Sequence, residues 1–178
     1  MNLPNSLTIL RILLIPVFVG LLVHGQHHYA LGVIIVAGIT DGLDGTIARM
    51  ANQRTKLGSY LDPLADKLLL TTSFATLAMI HLVPLWVSII VVSRDLILLV
   101  GTLLAQLTDM RLDITPTVWG KATTLLQLAY VILLLVFASS QLDLRLLEPL
   151  LYPMVGLTLI SGFHYLYRGV IQANASEA

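Results

Sequence analysis

Four aspartates, Asp41, Asp44, Asp62 and Asp66, carry the chemistry this sequence most plainly offers. They form two pairs, spaced three and four residues apart, inside stretches otherwise built of apolar and small residues. On helices the first pair lies about 60° apart around the axis and the second about 40°, so each helix presents two carboxylates on one face. Four carboxylates brought together repel one another, and full ionisation then requires cations close by. Arg54 and Lys56, the basic residues in the joint between the two helices, are too few and too exposed for that task. The chain has no cysteine and no obvious convergent histidine, so the ligands are hard oxygens, which favours Mg²⁺ or Mn²⁺ over zinc. Two such ions side by side neutralise the attacking and leaving oxygens of a phosphoryl-type displacement together.

The residues around the first pair fit that chemistry. Gly38 and Gly42 make a GxxxG that suits close helix packing. Gly45 offers a bare backbone surface beside two carboxylates, where a phosphate or nucleotide can press close. Arg49, one turn further on, reaches a diphosphate with its forked donors or anchors the helix at the interface.

The elements that must position these residues are membrane helices. Hydrophobic residues make up 57% of the chain and charged residues 11%, with a mean hydropathy of +0.88, which lies outside the range of soluble domains. Six apolar segments approach the roughly 20 residues a crossing needs, at 6–24, 29–50, 62–82, 84–107, 118–139 and 149–171. The predicted fold class is therefore all-α, a polytopic bundle of six transmembrane helices, with residues 1–178 as a single domain. The first segment lacks a separate basic region and a small-residue cleavage site, so it reads as retained in the mature protein. Arg49, Arg54, Lys56, Arg111, Lys121 and Arg168 collect on one side and Arg145 alone on the other, which places both termini and the aspartates toward the cytoplasm. Trp86, Trp119, Tyr29 and Tyr152 lie near span ends as an aromatic belt. Ten basic and ten acidic residues balance, and nothing points to nucleic acid. The far-side histidines His24, His27, His28 and His81 read as interfacial, and His164 as a packing residue. Asn174 fits a glycosylation sequon on a tail predicted to be cytoplasmic.

Read in full, residues 41–66 are DGLDGTIARMANQRTKLGSYLDPLAD. This resembles the signature of the CDP-alcohol phosphatidyltransferase family, matching all eight fixed positions at Asp41, Asp44, Gly45, Ala48, Arg49, Gly58, Asp62 and Asp66. The resemblance implies that Asp41, Asp44 and Asp62 ligate two metal ions and that Asp66 both ligates and acts as general base. It also implies that Gly45, Arg49 and Thr55 contact the CDP-lipid. The opening NLPNSLTILRILLIPVF is similar to the phosphatidylglycerophosphate synthase branch, which makes Asn5 and Thr8 further nucleotide-site residues. The implied reaction transfers the phosphatidyl group of CDP-diacylglycerol to glycerol-3-phosphate and releases CMP, in the cell (inner) membrane. Homodimerisation is a further implication.

Acceptor recognition rests on three basic residues. Arg94 lies mid-span, where a guanidinium needs a partner, and it either pairs with a metal-site aspartate or binds acceptor phosphate. Asp95 is also within the span, but neighbours along a helix do not face each other. Lys121, in VWGKATTLLQ, is either a snorkelling anchor or an acceptor ligand, and Lys67 poses the same choice. The synthase branch usually has Arg-Glu where this chain has SRDL, and a second basic residue at Ala122. Arg-Asp followed by HYLYRG resembles instead the family's cardiolipin synthases, whose acceptor is phosphatidylglycerol. A cation transporter also places aspartates on facing helices, but the one-sided cluster and the intervening glycine and arginine fit it less well.

Overall fold

The computed structural model describes residues 3–50, 56–107 and 118–176, with side-chain surroundings given for 8–40, 65, 67–101 and 118–168. The described residues form six α-helices and no strand: α1 (Leu3–Val23), α2 (His27–Met50), α3 (Lys56–Met79), α4 (Leu85–Leu107), α5 (Val118–Ser139) and α6 (Glu148–Ser176). A short 3₁₀ turn, Leu144–Leu147, leads into α6. Each expected span has its helix. The largest difference is at α3, which starts six residues before the expected 62, because its polar first turn is helical although it is not apolar.

The three described turns stop their helices in one way. Gly25, His81 and Gln141 have φ of 71°, 60° and 55°, the left-handed conformation that ends many helices. After each, the next amide reaches back five residues, from Gln26 to Leu21 O at 2.8 Å, Leu82 to Leu77 O at 2.9 Å and Leu142 to Phe137 O at 2.9 Å. Only the first position uses glycine, so His81 and Gln141 carry a modest conformational cost that tight reversals at this end of the bundle must offset.

The helices close into a ring. Helix α1 packs on α2 and α3, α3 on α4, α4 on α6, α6 on α5, and α5 on α2, with a lesser contact from α3 to α5. Among the described residues α2 packs mainly on α1 and α5, and α3 mainly on α1 and α4, so α1 serves both of the helices that carry the aspartates.

The interior is divided lengthwise. Toward the end with the three turns it is mostly apolar, with Phe18, Leu22, Ile34, Leu77, Val87 and Leu134 almost fully buried and the hydroxyls of Thr76 and Ser88 among them. Phe74 stacks on Tyr130 there, with ring centroids 6.5 Å apart and planes at 15°. Toward the other end the buried side chains turn polar: Thr8, Arg11, Ser73, Arg94, Asp95, Thr123, Gln127, Thr158 and Ser161. The outside is apolar, with Leu13, Ile39, Ile89, Val100, Leu125 and Phe163 exposed on five of the helices, the inverse of a soluble bundle. Trp86, Trp119, Tyr29 and Tyr152 are likewise exposed, as a belt requires. Helix α5 and the stretch Leu144–Arg168 are each long and apolar enough to cross a membrane, whereas the apolar parts of α1, α2 and α3 in the described residues are shorter.

Phe74, fully buried and stacked, should be the costlier of two truncations. Phe74→Ala is expected to lose about 3–5 kcal/mol, and Leu125→Ala on the outer face under about 0.5 kcal/mol. Thermal unfolding of both variants in the same detergent measures the difference.

Candidate active site

The aspartates occupy positions that helix register singles out. Along α2 the buried stripe runs through Ala30, Ile34 and Ala37, and the same register continues to positions 41, 44 and 48. Along α3 the stripe of Ser73, Leu70 and Leu69, followed backwards, arrives at positions 66 and 62. Both signature stretches are unbroken helix, so the spacings of three and four do place each pair one turn apart. The side chains of Asp41, Asp44, Asp62 and Asp66 lie outside the described residues, as do those of Asn5, Gly45 and Arg49, and Thr55 lies outside altogether. Thr8 is fully buried on α1, one turn before buried Arg11. Helix α1 packs on both α2 and α3, the two helices that carry the aspartates.

Beside this region four helices meet in one network. Arg94 Nη1 donates to Asp95 Oδ1 at 2.7 Å, and Arg94 Nη2 donates to Ser161 Oγ of α6 at 2.7 Å. Lys67, on α3, brings its Nζ within 3.5 Å of the same Asp95 oxygen and donates to Thr124 Oγ1 of α5 at 3.3 Å. Asp95 is 1% exposed, Arg94 5% and Lys67 20%. The expectation that Arg94 and Asp95 cannot meet is therefore corrected. Both lie on the buried face of α4, which is wide enough to include adjacent positions, and the long arginine arm curls back to its neighbour. A charge-assisted bond of that length is strong, and burial makes it necessary, because either charge alone would be expensive. Gly162 of α6 packs beside the arginine stem, where a Cβ would make ordinary contact 3.5 Å from Arg94 Cγ.

Asp95 is the partner of Arg94 that the sequence reading set aside. The signal was a basic and an acidic residue together in one apolar span, and the i,i+1 rule hid it. Lys67 and Arg94 are brought together, whereas Lys121 is exposed at the start of α5, and no described contact joins it to this network. Thr123 and Gln127 bind α5 to α6 instead: Thr123 Oγ1 donates to Trp119 O at 2.8 Å and Leu157 O at 3.3 Å, and Gln127 Nε2 to Thr158 Oγ1 at 3.2 Å. Among the described residues no group of three His, Asp or Glu side chains could hold a metal ion. The signature aspartates supply an oxygen-only donor set of four at helical spacing, and that set fits a hard divalent cation.

Comparison with known proteins follows the same residues. The sequence profile of the CDP-alcohol phosphatidyltransferase family matches residues 1–162. A probable phosphatidylglycerophosphate synthase of Mycobacterium tuberculosis is 31% identical over 176 residues, covering 95% of this chain and 82% of that protein. The human cardiolipin synthase (CMP-forming) is 46% identical over 99 residues, 55% of this chain and 33% of the human protein. A putative cardiolipin synthase of Mycobacterium bovis is 31% identical over 132 residues, 74% of this chain and 57% of that protein.

The Arg94–Asp95 pair should be strongly non-additive. Asp95→Leu alone strands Arg94 and is expected to cost about 3–5 kcal/mol, while Arg94→Met combined with Asp95→Leu should recover at least half of that. A double-mutant cycle on thermal stability checks it, and additive losses would show that the pair is not coupled.

Proposed function

The chain belongs to the CDP-alcohol phosphatidyltransferase family, and we propose that this membrane enzyme transfers the phosphatidyl group of CDP-diacylglycerol to glycerol-3-phosphate, forming phosphatidylglycerophosphate and CMP. The observation that carries the reading is the coincidence of the complete aspartate signature with the register of two buried helix faces at the polar end of the ring. The acceptor follows the relative that matches nearly the whole chain, the probable phosphatidylglycerophosphate synthase. One observation favours a second acceptor, phosphatidylglycerol: the higher identity, over about half the chain, to a cardiolipin synthase.

On this reading Asp41, Asp44, Asp62 and Asp66 hold two Mg²⁺ or Mn²⁺ ions. Bound there, such ions offset the charge of the diphosphate and of the departing CMP. Gly45 lets the diphosphate approach the α2 backbone, Arg49 reaches its oxygens, and Asn5, Thr8 and Thr55 complete the CDP-lipid site from the start of α1 and the segment before α3. Asp66 takes the proton from the acceptor hydroxyl. That oxygen attacks the lipid-side phosphorus, and the bond from phosphorus to the CMP oxygen breaks. Lys67 and Arg94 receive the acceptor's phosphate, with Lys121 at the mouth. The polar network that includes Lys67, next in sequence to Asp66, supports this reading, since it holds both cations within reach of one carboxylate.

Residues 1–178 work as one domain on the same reading. All six helices cross the inner membrane and the site faces the cytoplasm, in keeping with Lys121 and Arg168 near the polar end and Arg145 at the other. Pairing of two copies is part of the reading, and particle mass in detergent tests it.

Purified protein in detergent is expected to release CMP from CDP-diacylglycerol only with Mg²⁺ or Mn²⁺ present and to convert glycerol-3-phosphate to phosphatidylglycerophosphate. Asp66→Asn should lower that rate by about 10²-fold or more. Supplying glycerol-3-phosphate, phosphatidylglycerol, serine and inositol separately, and identifying the lipid product, decides the acceptor. No CMP with any of them, or full activity in Asp66→Asn, would overturn the assignment.

A further inference from the structure

The cluster of Lys67, Arg94 and Asp95 contains two cations and one carboxylate, and that count has a consequence for ligand choice. Asp95 Oδ1 meets both cations, at 2.7 Å from Arg94 Nη1 and 3.5 Å from Lys67 Nζ. The two other polar groups in contact, Ser161 Oγ and Thr124 Oγ1, are neutral. Within the cluster Arg94 Nε and Asp95 Oδ2 are buried without a hydrogen-bond partner. Lys67 is the least buried of the three charged groups. Among the described residues the cluster is thus a partly satisfied site with two cations to one carboxylate, fixed by contacts from α3, α4, α5 and α6.

We infer that Asp95 is a specificity-determining positioning residue: it holds Lys67 and Arg94 in one cluster and cancels one of their charges, which tilts the site from doubly charged toward singly charged phosphates. The reason is Coulombic. A fixed negative charge opposes a ligand in proportion to the ligand's own charge, so its penalty for a phosphomonoester dianion is twice that for a phosphodiester monoanion. At about 6 Å and an effective dielectric near 40, between the values for protein and for water, one unit of ligand charge is worth on the order of tenfold in affinity. This bears on the acceptor, because glycerol-3-phosphate carries a monoester and phosphatidylglycerol a diester. It rests on the reading that Lys67 and Arg94 receive the acceptor's phosphate.

The test uses binding, so that it stands apart from catalysis. Full-length protein in detergent, free of divalent metal and at about pH 8, where a phosphomonoester with second pKa near 6 is a dianion, is titrated with methyl phosphate and with dimethyl phosphate by thermal shift. Asp95→Asn is expected to raise the ratio of methyl phosphate to dimethyl phosphate affinity about tenfold, and Asp95→Glu to leave it within about twofold of the parent. Lys67→Gln, at the half-buried position and so the variant best tolerated by the fold, should move the same ratio about tenfold the other way. An unchanged ratio in Lys67→Gln and Asp95→Asn, or no binding of either probe to the parent protein, overturns the inference. A shifted ratio in protein that releases no CMP would instead overturn the proposed function and leave this inference standing.

Discussion

A charge placed inside an apolar bundle must be answered within the protein, and that constraint organises this molecule. Arg94 and Asp95 are almost completely buried, so neither could persist without the other. Meeting the constraint draws in Lys67 from α3, Ser161 from α6 and Thr124 from α5, so four helices are registered against one another by a single carboxylate and its partners. The cost of burying these groups is recovered as position: the cations are held where the proposed acceptor needs them, next in sequence to Asp66.

The ring order is the second element. Helix α1 packs on both α2 and α3, and α5 touches both as well, so the two aspartate-bearing helices share two neighbours. The proposed CDP-lipid residues accordingly come from the start of α1 as well as from the signature.

The two ends of the bundle do different work. At one, three identical left-handed caps and the Phe74–Tyr130 stack close the helices tightly over an apolar core. At the other, hydroxyls, an amide and charged groups replace that core. The polar end carries the unpartnered buried atoms Arg94 Nε and Asp95 Oδ2. Hydrogen bonds from Thr123 and Gln127 to α6 stiffen the polar end without adding charge.

Much of this was legible in residue order alone. Apolar segments separated by short polar joints define six helices, because span length and hydropathy are local properties. The spacing of Asp41, Asp44, Asp62 and Asp66 defines two carboxylate pairs, because helical periodicity is local too, and the match to the family signature follows from the same letters. What the tertiary structure decided is which helices touch. The packing of α1 on both α2 and α3, and the meeting of Lys67 with Asp95, depend on residues far apart in the chain. The Arg94–Asp95 bond was hidden for the opposite reason: the residues are adjacent, and only burial on a wide helix face, with nowhere else for either charge to go, turns the arginine back onto its neighbour.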